Sequence, residues 1–98
     1  MPVYVIAQGR IENRDMLDQY VTKVIPTIKA AGARILGFDE NPEVVEGEVE
    51  HPRTVVIEFP SSEAFHAWYG SDAYQAILPL RLESTPGTLI VVNGLPSA

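Results

Sequence analysis

Arg81 follows Tyr74 by seven residues, two helical turns along one face, and Leu78 sits between them on the same stripe. A guanidinium aimed at an apolar stripe needs a partner, because an unpaired buried charge is very costly. Two partners satisfy it: an anionic ligand clamped by the guanidinium's fork of donors, or a structural ion pair with Glu58 or Glu46, the reading favoured here. Glu58 lies inside an apolar run, where desolvation favours the neutral acid unless a cation or donor is near. It therefore suits general acid–base work, a salt bridge, or a hydrogen bond across a dimer interface. Glu46, beside Gly47, is a further ligand-binding candidate, whereas Glu48 and Glu50 fit a solvated edge whose charges discourage aggregation.

Aromatic residues offer a second kind of chemistry. Trp68, Tyr69 and Tyr74 can stack on a planar ligand, although aromatics at helical spacing usually form core. Tyr4 and Gln8 are placed to reach a cavity on one face of the first strand, and Tyr4 equally suits plain packing. His51 and His66 have no second histidine or carboxylate at ligand spacing on their own elements and read as surface residues, which leaves a haem-ligand role weak and predicts no metal site and no cofactor. There is no Ser-His-Asp arrangement, phosphate loop or dinucleotide fingerprint.

The elements that must position these residues follow from periodicity. Val3 to Gln8 is β-branched and aromatic, a strand closed by Gly9 and Arg10. Asn13 caps a helix whose Leu17, Tyr20, Val21, Val24 and Ile28 repeat at helical spacing, with Pro26 on its solvent face and Gly32 as its left-handed stop. Ala33 to Phe38 reads as a second strand that Glu43 to Glu48 resumes after a turn at Asp39 to Pro42. Arg53 to Phe59 is the clearest strand. Ser61 caps a short helix carrying Phe65, Trp68 and Tyr69, Gly70 breaks it, and Ser71 and Asp72 start another that carries Tyr74, Ile77, Leu78 and Arg81. Thr88 to Val92 is the last strand, and the tail from Leu95 to Ala98 is expected to be loose or to pack on a partner.

The order strand, helix, strand, strand, helix, strand predicts an α+β, ferredoxin-like β-α-β-β-α-β domain spanning residues 1–98. Its four-stranded antiparallel sheet would run in the order 4-1-3-2, with the helices on one face. Alternation puts Val55, Ile57 and Phe59 on the helix side and leaves Tyr4, Ile6, Gln8, Thr54, Val56, Glu58, Ile90 and Val92 on the other. That second face is too apolar for a solvated sheet and predicts face-to-face packing on a second copy, its polar minority lining a partly wet cavity.

Composition narrows the partners. Ninety-eight residues make one domain with a thin core, burying about 65% of the unfolded surface, and dimerisation is a common remedy. Seven basic residues against thirteen acidic ones give a net charge of −6, with no basic cluster for a nucleic acid and average repulsion from an anionic membrane. The absence of cysteine removes thiol chemistry and, with no leader-like start, fits a cytoplasmic location. No run approaches the roughly 20 apolar residues that span a bilayer.

Glu46-Gly47, Arg53 to Pro60, Ala67 to Gln75, Arg81 and Asn93-Gly94 together resemble a family of short bacterial proteins known only as a domain of unknown function. That family belongs to the dimeric α/β-barrel superfamily. The most specific stretch is Val55 to Ala76, VVIEFPSSEAFHAWYGSDAYQA. Asp72 stands where the family often has proline, a difference confined to the helix start. The resemblance implies the ferredoxin-like fold and a homodimer whose two sheets close a barrel. It implies no established activity, because the wider superfamily spans cofactor-free monooxygenases, muconolactone isomerases and haem enzymes that use different residues. The leading expectation is a small-molecule site in the dimer, supporting oxygenation or isomerisation of a small organic acid, with Glu58 transferring the proton and Arg81 clamping the anion. Trp68, Tyr74, Tyr4, Gln8 and Glu46 would line it. The rival is a non-catalytic dimeric binding or interaction module in which the same polar residues only fix pairing.

Overall fold

The computed structural model describes residues 1–96. Strand β1 (Val3–Gly9) leads to helix α1 (Arg14–Ala30), then to β2 (Arg34–Asp39) and β3 (Arg53–Phe59). Helices α2 (Ser62–Tyr69) and α3 (Asp72–Ser84) follow, and β4 (Gly87–Asn93) closes the sheet. The four strands are antiparallel in the order β2-β3-β1-β4, the predicted ferredoxin-like arrangement, with the second helix divided at Gly70.

Local chemistry sets each boundary. The side chain of Asn13 accepts from the Met16 amide at 3.0 Å, that of Ser61 from Ala64 at 3.0 Å, and that of Ser71 from Tyr74 at 3.1 Å. Each satisfies an amide that the helix cannot satisfy itself. Gly32 adopts φ +74°, the left-handed stop expected after α1. Pro26 lies exposed within α1, which continues through it.

The expectation that Glu43 to Glu48 resumes strand pairing is incorrect. Residues 40–52 form an irregular connection, with Gly47 at φ +82° and Val44 and Val45 exposed. Prolines 42 and 52 supply no amide hydrogen, and the left-handed glycine between them turns the chain out of a ladder. The irregularity in β2 falls earlier, as a bulge between Ile35 and Gly37.

Register sorts the side chains. Val5 pairs with Ile57 and Val91, and Ala7 with Val55 and Leu89, on the face covered by the helices. Tyr4 pairs with Glu58 and Val92, and Ile6 with Val56 and Ile90, on the other face, which no helix covers. The core gathers under α2 and α3, where the Phe59 ring lies 5.5 Å from Phe65 and 5.3 Å from Trp68. Phe59 is fully buried. Its replacement by alanine is expected to lower stability by about 3–5 kcal/mol. The test is a urea titration in which the midpoint falls at an unchanged slope.

Candidate functional site

A cleft of about 230 Å³ opens between α1 and the inner sheet face. Its floor is Val5, Ala7, Val55 and Ile57, its roof the Tyr20–Ile28 stripe of α1, and its inner wall Trp68, Tyr74 and Arg81. The half-exposed side chains of Ile35 and Phe38, on edge strand β2, form its rim.

Its polar groups collect at one end. Arg53, the first residue of β3, has the inward parity of Val55 and Ile57, so the strand carries its guanidinium under the helices. Arg81 comes from the last turn of α3. The chain leaving β1 is tied to the end of that helix, Arg10 N–H donating to the Pro86 carbonyl at 3.0 Å and Glu12 N–H to Ser84 at 2.8 Å. Gly9, the β1 partner of Arg53, is packed so tightly there that a β-carbon would collide with Thr85. This close approach brings both arginines to the same cleft.

Arg53 is 6% exposed and Arg81 8%. Among the described residues neither forms an ion pair, and Arg53 Nε has no hydrogen-bond partner. Arg81 Nε donates to the Tyr74 hydroxyl at 3.2 Å, and that hydroxyl lies 2.9 Å from the hydroxyl of Tyr20. The Phe38 ring lies 5.1 Å from the Arg53 guanidinium carbon, within cation–π range. Burial lowers the pKa of Arg53 most; Glu40, the next largest influence, and then Tyr20 oppose it, while Arg14 and Arg81 push the same way as burial. Burial, reinforced by Tyr74, holds the Tyr20 hydroxyl well above the usual tyrosine range, so it stays protonated and can donate.

The chain's other three arginines behave oppositely. Arg10, Arg14 and Arg34 are exposed, and each meets a carboxylate, at 3.2, 2.6 and 2.7 Å respectively. Each exposed arginine therefore has a carboxylate in contact, whereas among the described residues the buried pair has none in contact, Glu40 acting on Arg53 only from beyond salt-bridge distance.

The structure divides the residues that the sequence grouped. Trp68, Tyr74 and Arg81 line the cleft. Tyr4, Gln8 and Glu58 lie on the opposite sheet face, and Glu46 lies exposed in the connection between β2 and β3. The expected ion pair of Arg81 with Glu58 or Glu46 does not form. Glu58 instead accepts from Arg34 at 2.7 and 3.2 Å, because Arg34 is its cross-strand neighbour, and this bond lowers its pKa. The Tyr4 hydroxyl is raised in turn by its hydrogen bond to Glu58. Gln8 Nε2 donates to Thr54 Oγ1 at 3.4 Å. Trp68 Nε1 donates to Thr27 Oγ1 at 3.0 Å, leaving the ring edge toward the cleft apolar. His66 is exposed as expected, but His51 is half-buried with Nδ1 unpartnered. Among the described residues no group of three metal-ligating side chains is assembled, and no helix is long and apolar enough to cross a membrane.

Sequence reasoning missed Arg53 and gave Tyr20 only a packing role. The signal for Arg53 was present: it stands two residues before Val55, in the parity assigned to the helices. Since its charge is buried with no carboxylate in contact, Arg53→Met is expected to raise the stability of the ligand-free protein by about 1 kcal/mol. Thermal and urea unfolding check this, and a destabilised variant would mean that the guanidinium is satisfied where it lies.

The same fold occurs in solved structures at low identity. A protein of unknown function from Rhodopseudomonas palustris, RPA0582, superposes with a TM-score of 0.79 at 15% identity, over 98% of this chain and 84% of that one. A dimeric ferredoxin-like protein of unknown function from Jannaschia sp. CCS1 gives 0.70 at 11% identity, over 96% and 100% of the two chains. A candidate antibiotic biosynthesis monooxygenase from Caulobacter crescentus CB15 gives 0.64 at 15%, over 92% and 84%. No curated protein matches the sequence. Residues 2–95 match the model of a family described as a domain of unknown function (DUF1330), and the chain belongs to that family.

Proposed function

We propose that this protein binds a small organic anion in the cleft between α1 and the sheet, and that it does so as a homodimer joined through the uncovered sheet face. The observation that carries the anion is the buried pair Arg53 and Arg81, which line one cleft and have no carboxylate partner among the described residues. An entering anion offsets the desolvation of both guanidiniums, and their planar donor forks match a carboxylate. The cleft is smaller than the roughly 300–1,000 Å³ typical of drug-sized ligands, which argues for a small one.

Glu58, the expected proton-transfer group, is held by Arg34 on the far side of the sheet, and among the described residues no carboxylate or histidine lines the cleft. Binding is therefore the better-supported reading. Isomerisation or cofactor-free oxygenation of the same acid is favoured by one feature, the Arg81–Tyr74–Tyr20 array, which offers donors to an oxyanion. The monooxygenase assignment of the Caulobacter neighbour agrees with that second reading.

Dimerisation is supported by the dimeric state of the Jannaschia neighbour and by the apolar character of the second face, where Ile90 is 52% and Val92 41% exposed. Ile90→Lys combined with Val92→Lys is expected to convert a dimer to monomers in sedimentation velocity. A wild-type monomer at micromolar concentration would overturn this assignment.

The anion reading is tested by amide NMR titration with a panel of small carboxylates and inorganic phosphate. Binding should shift residues around Tyr20, Arg53, Tyr74 and Arg81, and Arg53→Met or Arg81→Met should weaken it at least about tenfold, or ~1.4 kcal/mol. Equal binding by folded variants would remove the arginines from the site.

A further inference from the structure

The polar end of the cleft is one-sided in its hydrogen bonding. The two hydroxyls of Tyr20 and Tyr74 carry two hydrogens between them, and their mutual bond uses one. Arg81 Nε already donates to Tyr74, so the second hydroxyl hydrogen is left to be given away. Arg53 and Arg81 add only donors. The polar end thus offers hydrogens from three directions and no ionised acceptor. A ligand group that brings its own N–H or O–H into this end finds no strong acceptor and leaves those hydrogens unsatisfied.

The other end is apolar. From Tyr20 to Ile28 the roof runs eight residues along α1, about 12 Å at the helical rise. Beyond Tyr20 it offers Val21, Val24, Ile25 and Ile28, and Ile35 lines the same cleft from the rim. A second charge or hydroxyl carried there would be desolvated without a partner. The volume is roughly eight times the share of one water in the liquid, room for on the order of ten non-hydrogen atoms.

We infer that the ligand is an apolar monocarboxylate of on the order of ten non-hydrogen atoms, seated with its carboxylate between Arg53 and Arg81 and its hydrocarbon body along α1 toward Ile28 and Ile35. This rests on the anion reading above and narrows it to one ligand class with one orientation.

Trp68 is the chain's single tryptophan and lines the cleft, so its fluorescence reports occupancy without a label. The full-length protein is titrated with octanoate, octanamide, octanedioate and inorganic phosphate. Octanoate should shift the Trp68 emission saturably. Octanamide, which exchanges an acceptor for hydrogens, and octanedioate, which carries a charge to the apolar end, should each bind at least about tenfold more weakly. Phosphate should leave the emission unchanged. Ile25→Asp, which places a carboxylate at the apolar end, should weaken octanoate while sparing the arginines. Octanedioate or phosphate binding as tightly as octanoate would overturn the head-and-tail orientation and leave the anion reading intact. Octanamide matching octanoate would overturn both. No shift from octanoate at millimolar concentration would overturn the ligand class, and the carboxylate panel with the arginine variants would then decide the anion reading separately.

Discussion

Two positive charges share a cleft that no carboxylate lines among the described residues, and Glu40 acts on Arg53 only from outside it. The protein has thirteen acidic residues and a net charge of −6, so counter-charges are plentiful. Their distribution follows strand and helix geometry. Glu58 and Arg53 belong to the same strand, but five residues of alternation put one above the sheet and the other below it. Glu58 meets Arg34 across the neighbouring strand, and Arg53 meets a hydrocarbon cleft. Self-neutralisation on one face and its absence on the other arise from a single parity rule, which makes the cleft's charge a consequence of register rather than of side-chain choice alone.

Holding that charge requires a rigid surround, because a mobile one would let water or a surface carboxylate reach the arginines. The surround comes from contacts that do not involve the charges. The Tyr20–Tyr74 hydroxyl contact joins α1 to α3, and Trp68 joins α2 to α1 through Thr27. The Trp68 and Tyr74 rings pack at 4.0 Å between centroids. The carbonyls of Ser84 and Pro86 fasten the end of α3 to the start of the chain's first crossover. Each contact spans different secondary elements, so each depends on the complete fold. The β2 edge is the exception. Ile35 and Phe38 face the helix side yet remain 43% and 55% exposed, because α1 does not extend over them. That incomplete cover is what leaves the cleft an entrance.

The fold was legible in the sequence because its signals are local. Asn13, Ser61 and Ser71 mark helix starts, Gly32 marks a stop, and β3 alternates without interruption. The connection at 40–52 was misread because Val44 and Val45 have strand propensity, and propensity is a weak guide where no neighbouring strand offers a ladder. For the site, Arg81 was legible from its seven-residue spacing to Tyr74, and its partner was not, since pairing depends on which sheet face a distant strand presents. By charge alone, Glu58 is a natural partner for Arg81. Once register is fixed, it is separated from Arg81 by the sheet itself. Arg53 escaped notice for the opposite reason: a charged residue at a strand's first position ordinarily reads as its solvated end.

The contrast between exposed and buried arginines bears on what each contributes to the fold. Exposed pairs like Arg10–Glu12 contribute little to stability, typically less than about 1 kcal/mol, whereas a buried guanidinium with no carboxylate in contact costs desolvation. A hydrophobic residue of similar volume would extend the core that begins at Val55 and would cost no desolvation. A guanidinium in that position burdens the empty protein and is relieved when a counter-charge arrives. Under the proposed reading, the stability forgone in the ligand-free state would be available to binding, because an anion that neutralised two desolvated cations would gain more than from the same cations in water. Under the proposed reading, the residues that burden the empty cleft are the ones a bound anion would relieve.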